Sequence, residues 1–116
     1  MNAAEITSLL RSHRYPLGTE AALQAEIEKL FNVAGVAFER ERRLGPADRI
    51  DFLCAGGIGI EAKVRSGKRI IYRQLARYSC HEAITALILV TNTAMGLPPN
   101  LNGRPLYYVS LGRAAL

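Results

Sequence analysis

The chain has 116 residues, 49% of them hydrophobic and 22% charged, with a net charge of +5. That is enough for one domain with a core, too little for two, and the balance is that of an ordinary globular protein. No apolar run approaches the ~20 residues of a membrane span, and the N-terminal stretch with Glu5 and Arg11 lacks a signal-peptide core, so a cytoplasmic protein without a membrane partner is expected.

Ala3 to Ser12 carries Ile6, Leu9 and Leu10 at helical spacing, and Tyr15-Pro16-Leu17-Gly18 breaks that helix. Thr19 is the N-cap expected for a longer helix to about Ala34, with Leu23, Ile27, Leu30 and Phe31 on one stripe and Gly35 ending it. Residues 36 to 44 alternate as a strand that leaves the core towards its charged end, where Glu39, Arg40, Glu41, Arg42 and Arg43 most economically form intrachain pairs on an exposed strand end. Gly45 to Asp48 is a turn.

Residues 49 to 65 form the most informative stretch. Ile50, Phe52, Cys54, Ile58, Ile60, Ala62 and Val64 occupy even positions, while Arg49, Asp51, Gly59, Glu61, Lys63 and Arg65 occupy odd ones. This is the period of a β-hairpin with one apolar face, and it puts two carboxylates and an ammonium together on the other. Opposed residues share a face, so Asp51 meets Glu61 only across a three-residue connection, either Ala55 to Gly57 or Gly56 to Ile58, with a glycine in the left-handed region.

A basic loop, Arg65 to Lys68, leads to a helix from about Arg69 to Ala83 with Ile71, Leu75 and Tyr78 on one stripe. Ile84 to Thr91 is an unbroken apolar run, the pattern of a strand buried on both faces. A right-handed crossover would lay it parallel to residues 58 to 65. Residues 93 to 104 read as a long connection and Leu106 to Leu111 as a last strand. Cys54 and Cys80 are too few for a disulfide scaffold and lack zinc-site spacing, so both are expected in the core. His13 and His81 are isolated.

The order αβββαβ with Asp51-x9-Glu61-x-Lys63 on its second and third strands resembles the PD-(D/E)xK nuclease superfamily. Gln74-Leu75-Ala76-Arg77-Tyr78 resembles the QxxxY element of its RecB-like branch. Size and helix-to-Asp spacing are also similar to archaeal Holliday-junction resolvases. The resemblance covers residues 19 to 92; Ile50 stands where that family's name-giving proline would be. It implies an α/β fold with a restriction-endonuclease-like αβββαβ core, a mixed sheet flanked by helices. The expected single domain then has an N-terminal extension (1–18), a core (19–92) and a connection with a final strand (93–116).

The resemblance further implies that Asp51 and Glu61 hold Mg²⁺, with Mn²⁺ as substitute, joined by the Ala62 carbonyl and by Glu20 on the first long helix. Glu26 is the alternative to Glu20, and a plain helix-dipole role for Glu20 is a rival. Lys63 would act at the attacking water, and Gln74 and Tyr78 would touch Lys63 or the substrate. Hard carboxylate oxygens around a divalent cation suit phosphodiester hydrolysis on chemical grounds too.

Of fifteen basic residues twelve are arginine, whose planar fork suits phosphate. Arg69, Arg73 and Arg77 recur every four residues beside Arg65 and Lys68. These five, with Tyr78, are the expected nucleic-acid contacts. The function expected is a Mg²⁺-dependent deoxyribonuclease, structure- or end-directed because few elements remain to read base edges, and acting as a homodimer by similarity to the resolvases. The alternatives are a non-catalytic DNA-binding or assembly module on the same fold, and an RNA-directed nuclease.

Overall fold

The computed structural model describes residues 1–112; the last part of the expected terminal segment, 113–116, lies outside the described residues. Helix α1 (Ala3–Arg11) begins with a capping box: the Asn2 side chain accepts from the Glu5 amide and Glu5 accepts from the Asn2 amide, both at 2.8 Å. Helix α2 (Glu20–Ala34) starts where Thr19 Oγ1 accepts from the Ala22 amide and stops at Gly35, which turns left-handed at φ 74°. Strands β1 (Phe38–Arg43), β2 (Arg49–Cys54) and β3 (Ile58–Lys63) follow as an antiparallel meander, then α3 (Lys68–Tyr78) and β4 (Ala86–Thr91). A short hairpin of β5 (Asn100–Leu101) and β6 (Arg104–Ser110) follows.

The result is an α/β fold with a six-stranded mixed sheet in the order β1-β2-β3-β4-β6-β5 and three helices. β4 lies parallel to both β3 and β6, and all six of its residues are buried, as its unbroken apolar run requires. Helices α1 and α2 cover one face, packing Ile6, Leu23, Ile27 and Phe31 on Phe52, Ile60 and Val90. α3 covers the other, packing Ile71, Leu75 and Tyr78 on Leu53, Leu87 and Leu89. Among the described residues no helix is long and apolar enough to cross a membrane.

The β2–β3 register pairs Cys54 with Ile58, so the connection is the three-residue Ala55 to Gly57, with Gly56 at φ 86° and Gly57 at φ 82°. Ile50 departs from the expected even-numbered face: it belongs to the α3-side cluster, not to that of Phe52 and Cys54. Two features permit this. β1 is distorted opposite Asp51, where Glu41 has φ 48°, and Gly59 leaves space that a Cβ would fill at 2.4 Å from Ile50 Cδ1.

α3 ends at Tyr78, five residues before the expected Ala83. Ser79 Oγ turns back to the Ala76 carbonyl, and His81 is drawn to Asp48 at 2.9 Å, which takes the chain off the helical path. The expected structureless connection contains β5, because Asn102 (φ 50°) and Gly103 (φ 78°) make a two-residue hairpin turn. That Asn-Gly pair was the signal for it. Cys54 is buried as expected, whereas Cys80 is exposed, since the chain has left the helix face by that point.

Gly59→Ala is expected to destabilise the fold by about 1–3 kcal/mol through overpacking against Ile50, Ile84 and Leu87. Urea unfolding of the two proteins measures this, and an unchanged midpoint would refute the crossing of Ile50 over Gly59.

Candidate active site

Asp51 and Glu61 carry the sum that relates every β2–β3 pair, so they stand opposite each other just beyond Phe52 and Ile60. There the backbone ladder gives way to side chains. The Asp51 amide donates to Glu61 Oε1 at 3.3 Å, and the Ala62 amide donates to Asp51 Oδ2 at 2.8 Å. Each carboxylate thus takes a backbone donor that strand pairing would otherwise use, and the strands part around them.

Lys63, one alternation further along β3, places Nζ 3.5 Å from Glu61 Oε2. Glu20, at the start of α2, comes from the other face of the sheet, its Oε2 3.5 Å from the Val64 amide. Glu26 instead pairs with His13 at 2.7 Å. From α3, the Tyr78 hydroxyl lies 3.1 Å from Glu61 Oε2 and 3.2 Å from the Arg49 carbonyl. Gln74, one turn earlier on the same stripe, has a buried Oε1 with no hydrogen-bond partner.

Glu61 is only 3% exposed. Burial, then the charge of Asp51, pushes its carboxyl up to about 8, against the opposing pull of Lys63 and the Tyr78 hydroxyl. Asp51 is raised as well, by burial first, with the Ala62 amide and Lys63 resisting and Glu20 adding repulsion. Burial beside these acids raises Tyr78 further above the usual phenol range, so it stays a hydrogen-bond donor.

Among the described residues no three His, Cys, Asp or Glu side chains converge closely enough to form a ready-made metal cluster. The donor set is a pair of hard carboxylates, Asp51 and Glu61, with Glu20 set back against the end of β3. Two carboxylate donors with the remaining positions left to water fit Mg²⁺, which keeps much of its hydration.

The residues expected to meet nucleic acid divide. Lys68, Arg69 and Arg73 are exposed and line, with Tyr72 and Met95, an open cleft of about 1140 Å³ beside the start of α3. Arg65 is exposed, but its guanidinium donates to the carbonyls of Leu17 and Gly18, at 3.1 and 2.6 Å. Arg77 is held by Asp48 at 3.0 Å with half its side chain still exposed. Tyr78 is buried and turned to Glu61, so it cannot contact nucleic acid; its stripe faces the sheet because Ile71 and Leu75 carry it there.

Two further elements were not legible in the sequence. Arg40 lies 4.5 Å over the Phe52 ring, donates to Gln24 and Glu28, and reaches the Asp51 carbonyl at 3.3 Å, so it braces β2 where the strands part. Its strand of alternating charges looked uniformly solvated, and nothing local marks one arginine as bridging to α2. Asp48, buried in a loop, gathers His81 and Arg77, and those partners hold its carboxyl below the usual range.

No family model matches the chain, and neither the curated proteins nor the solved structures contain a match to it.

Glu61 has its folded pKa raised, so the stability it contributes is complete below its ordinary 4.5 and is lost as pH rises through about 8. Asp51 acts in the same direction; Asp48 acts oppositely, but its gain is complete once pH exceeds its ordinary 3.8. The melting temperature in EDTA is therefore expected to fall by several degrees between about pH 5 and pH 8, and Glu61→Gln to flatten that fall. Thermal melts of both proteins across this range check it.

Proposed function

We propose that the chain is a divalent-metal-dependent nuclease of PD-(D/E)xK type, built on a restriction-endonuclease-like core and hydrolysing DNA phosphodiesters. One observation carries the reading: two opposed carboxylates replace the strand ladder at Asp51 and Glu61, with the Lys63 ammonium 3.5 Å from the second. A solvated cross-strand salt-bridge ladder would leave the backbone paired and the carboxylates wet. Here Glu61 is 3% exposed and both acids are enlisted into the backbone.

Asp51, Glu61 and the Ala62 carbonyl would hold Mg²⁺, or Mn²⁺ in its place, with Glu20 ligating through water. Bound there, the cation supplies charge neutralisation for the phosphate and a lowered pKa for an attacking water. The chain's own residues do the rest. Lys63 orients that water or stabilises the charge that builds on the phosphate. Tyr78 fixes the Glu61 carboxylate by donating to Oε2, and Arg40 fixes the Asp51 backbone. Gln74 brings an unpartnered carbonyl oxygen to the same stripe as Tyr78, where it can accept from Lys63 or from the ordered water. Lys68, Arg69 and Arg73 offer cations to the flanking phosphates.

A second reading, a non-catalytic DNA-binding or assembly module, draws on the lack of a three-ligand cluster among the described residues. Purified protein offered a four-way junction, an equal-length duplex, a single strand and RNA separates the two. Cleavage in Mg²⁺ or Mn²⁺ that EDTA abolishes is expected, with Glu61→Gln and Lys63→Ala each losing about 100-fold or more. Wild-type rates in those variants would remove the catalytic assignment. Binding without cutting in either metal would favour the module, and cutting of RNA alone would change the substrate. In thermal melts at pH 8, saturating Mg²⁺ is expected to recover stability in the wild type and not in Glu61→Gln, because the cation offsets repulsion between Asp51 and Glu61.

A further inference from the structure

The N-terminal extension encloses a second feature that the proposed chemistry does not use. A cavity of about 610 Å³ lies between the end of α1, the segment from His13 to Leu17 and the final residues of β6. Arg11, His13, Arg14, Tyr15, Tyr108 and Ser110 are among its walls. Arg11 and Arg14 are exposed, and among the described residues neither pairs with a carboxylate. The nearby acid, Glu26, is taken up by His13. The Tyr15 hydroxyl is spent on the Leu10 carbonyl, which leaves its ring as a fixed apolar surface, whereas Tyr108 sends its ring to the α3-side cluster and contributes its carbonyl, which accepts from the Arg11 guanidinium at 2.8 Å.

Its position ties it to the acidic site. In the parallel part of the sheet Lys63 pairs with Thr91 and Thr91 with Ser110. The cavity floor is thus two strand spacings from Lys63 along the sheet, about 10 Å, but on the α1 face. Glu61 turns to Tyr78 on the α3 face, so a strand reaching both passes around the ends of β4 and β6. The Arg65 guanidinium, two residues beyond Lys63, clamps the carbonyls of Leu17 and Gly18 and so fixes the wall of the cavity to the strand that carries the site.

We propose that this cavity receives an unpaired nucleotide of the strand being cut, with its phosphate on Arg14 and Arg11 and its base against Tyr15. A concave site of this volume takes a ligand of nucleotide size and excludes a duplex, and fixed aromatic rings beside arginines are the usual means of holding single strands without reading their sequence. The substrate class that follows is nucleic acid with a single-stranded end or flap, which makes the site end-directed. The strand's path to the carboxylates rests on the nuclease reading; occupancy of the cavity does not.

Binding of the full chain to a labelled eight-residue oligothymidylate and to a duplex of equal length, followed by fluorescence anisotropy in EDTA, tests the cavity without any cleavage. Tighter binding of the single strand is expected. Arg14→Glu should weaken it about ten-fold and lower its salt slope by about one, while Lys29→Glu, the same charge change on exposed α2, should have a much smaller effect. Equal losses in the two variants, or single-strand binding no tighter than duplex binding, would overturn the proposal. Cleavage in Mg²⁺ is scored separately: cutting that persists with no Arg14 effect sinks the cavity and keeps the nuclease. An Arg14-dependent single-strand complex that never cuts sinks the nuclease and keeps the cavity.

Discussion

The molecule is organised around the place where β2 and β3 cease to bond through their backbones. At Asp51 and Glu61 two side chains take over the amide donors of the opposite strand, which holds two acids close in a setting where one of them is almost fully buried. Lost hydration and then mutual repulsion make that arrangement costly and push the Glu61 carboxyl up. The surroundings offset it with hydrogen bonds to charged oxygens from Ala62 and Tyr78 and with the Lys63 ammonium. A structural salt bridge has no need of such strain, which the proposed cation would relieve.

Support for the parted strands comes from both faces of the sheet. On the α2 side, Arg40 spreads over Phe52 and ties the Asp51 carbonyl to Gln24 and Glu28. On the α3 side, Tyr78 bridges Glu61 and the Arg49 carbonyl, while Ile50 crosses over the bare surface of Gly59 to join the α3 cluster. Asp51 is therefore held between two immobilised neighbours, and a strand distortion at Glu41 absorbs the mismatch on the outer edge. The proposed metal site would need this kind of bracing, because a small drift in either carboxylate would change the geometry of a shared ion.

Arg65 joins the two ends of the proposed binding path. Its backbone amide is held by Asn92 after β4, its side chain by the loop before α2, and its own φ of 54° is the strained turn that carries the chain from β3 into α3. A residue that looks like one more phosphate contact in a basic loop is also the fastener between β3 and the N-terminal extension.

Local rules determined much of this chain. Period-2 alternation located β2 and β3, parity required a three-residue turn if Asp51 was to oppose Glu61, Thr19 and Gly35 bounded α2, and the apolar run of β4 declared burial on both faces. Each depends on neighbours within a few residues, where backbone geometry and hydrophobic pattern act directly. Tertiary structure decided what depends on distant partners: that Ile50 changes faces over Gly59, that Tyr78 turns inward to Glu61, that Arg40 and not its neighbours bridges to α2, and that Asp48 gathers Arg77 and His81. Side-chain type shows that a group is polar and how often it faces water. Only packing from another element assigns its partner, because long charged and aromatic side chains reach across the sequence to whichever donor or acceptor burial leaves unpaired.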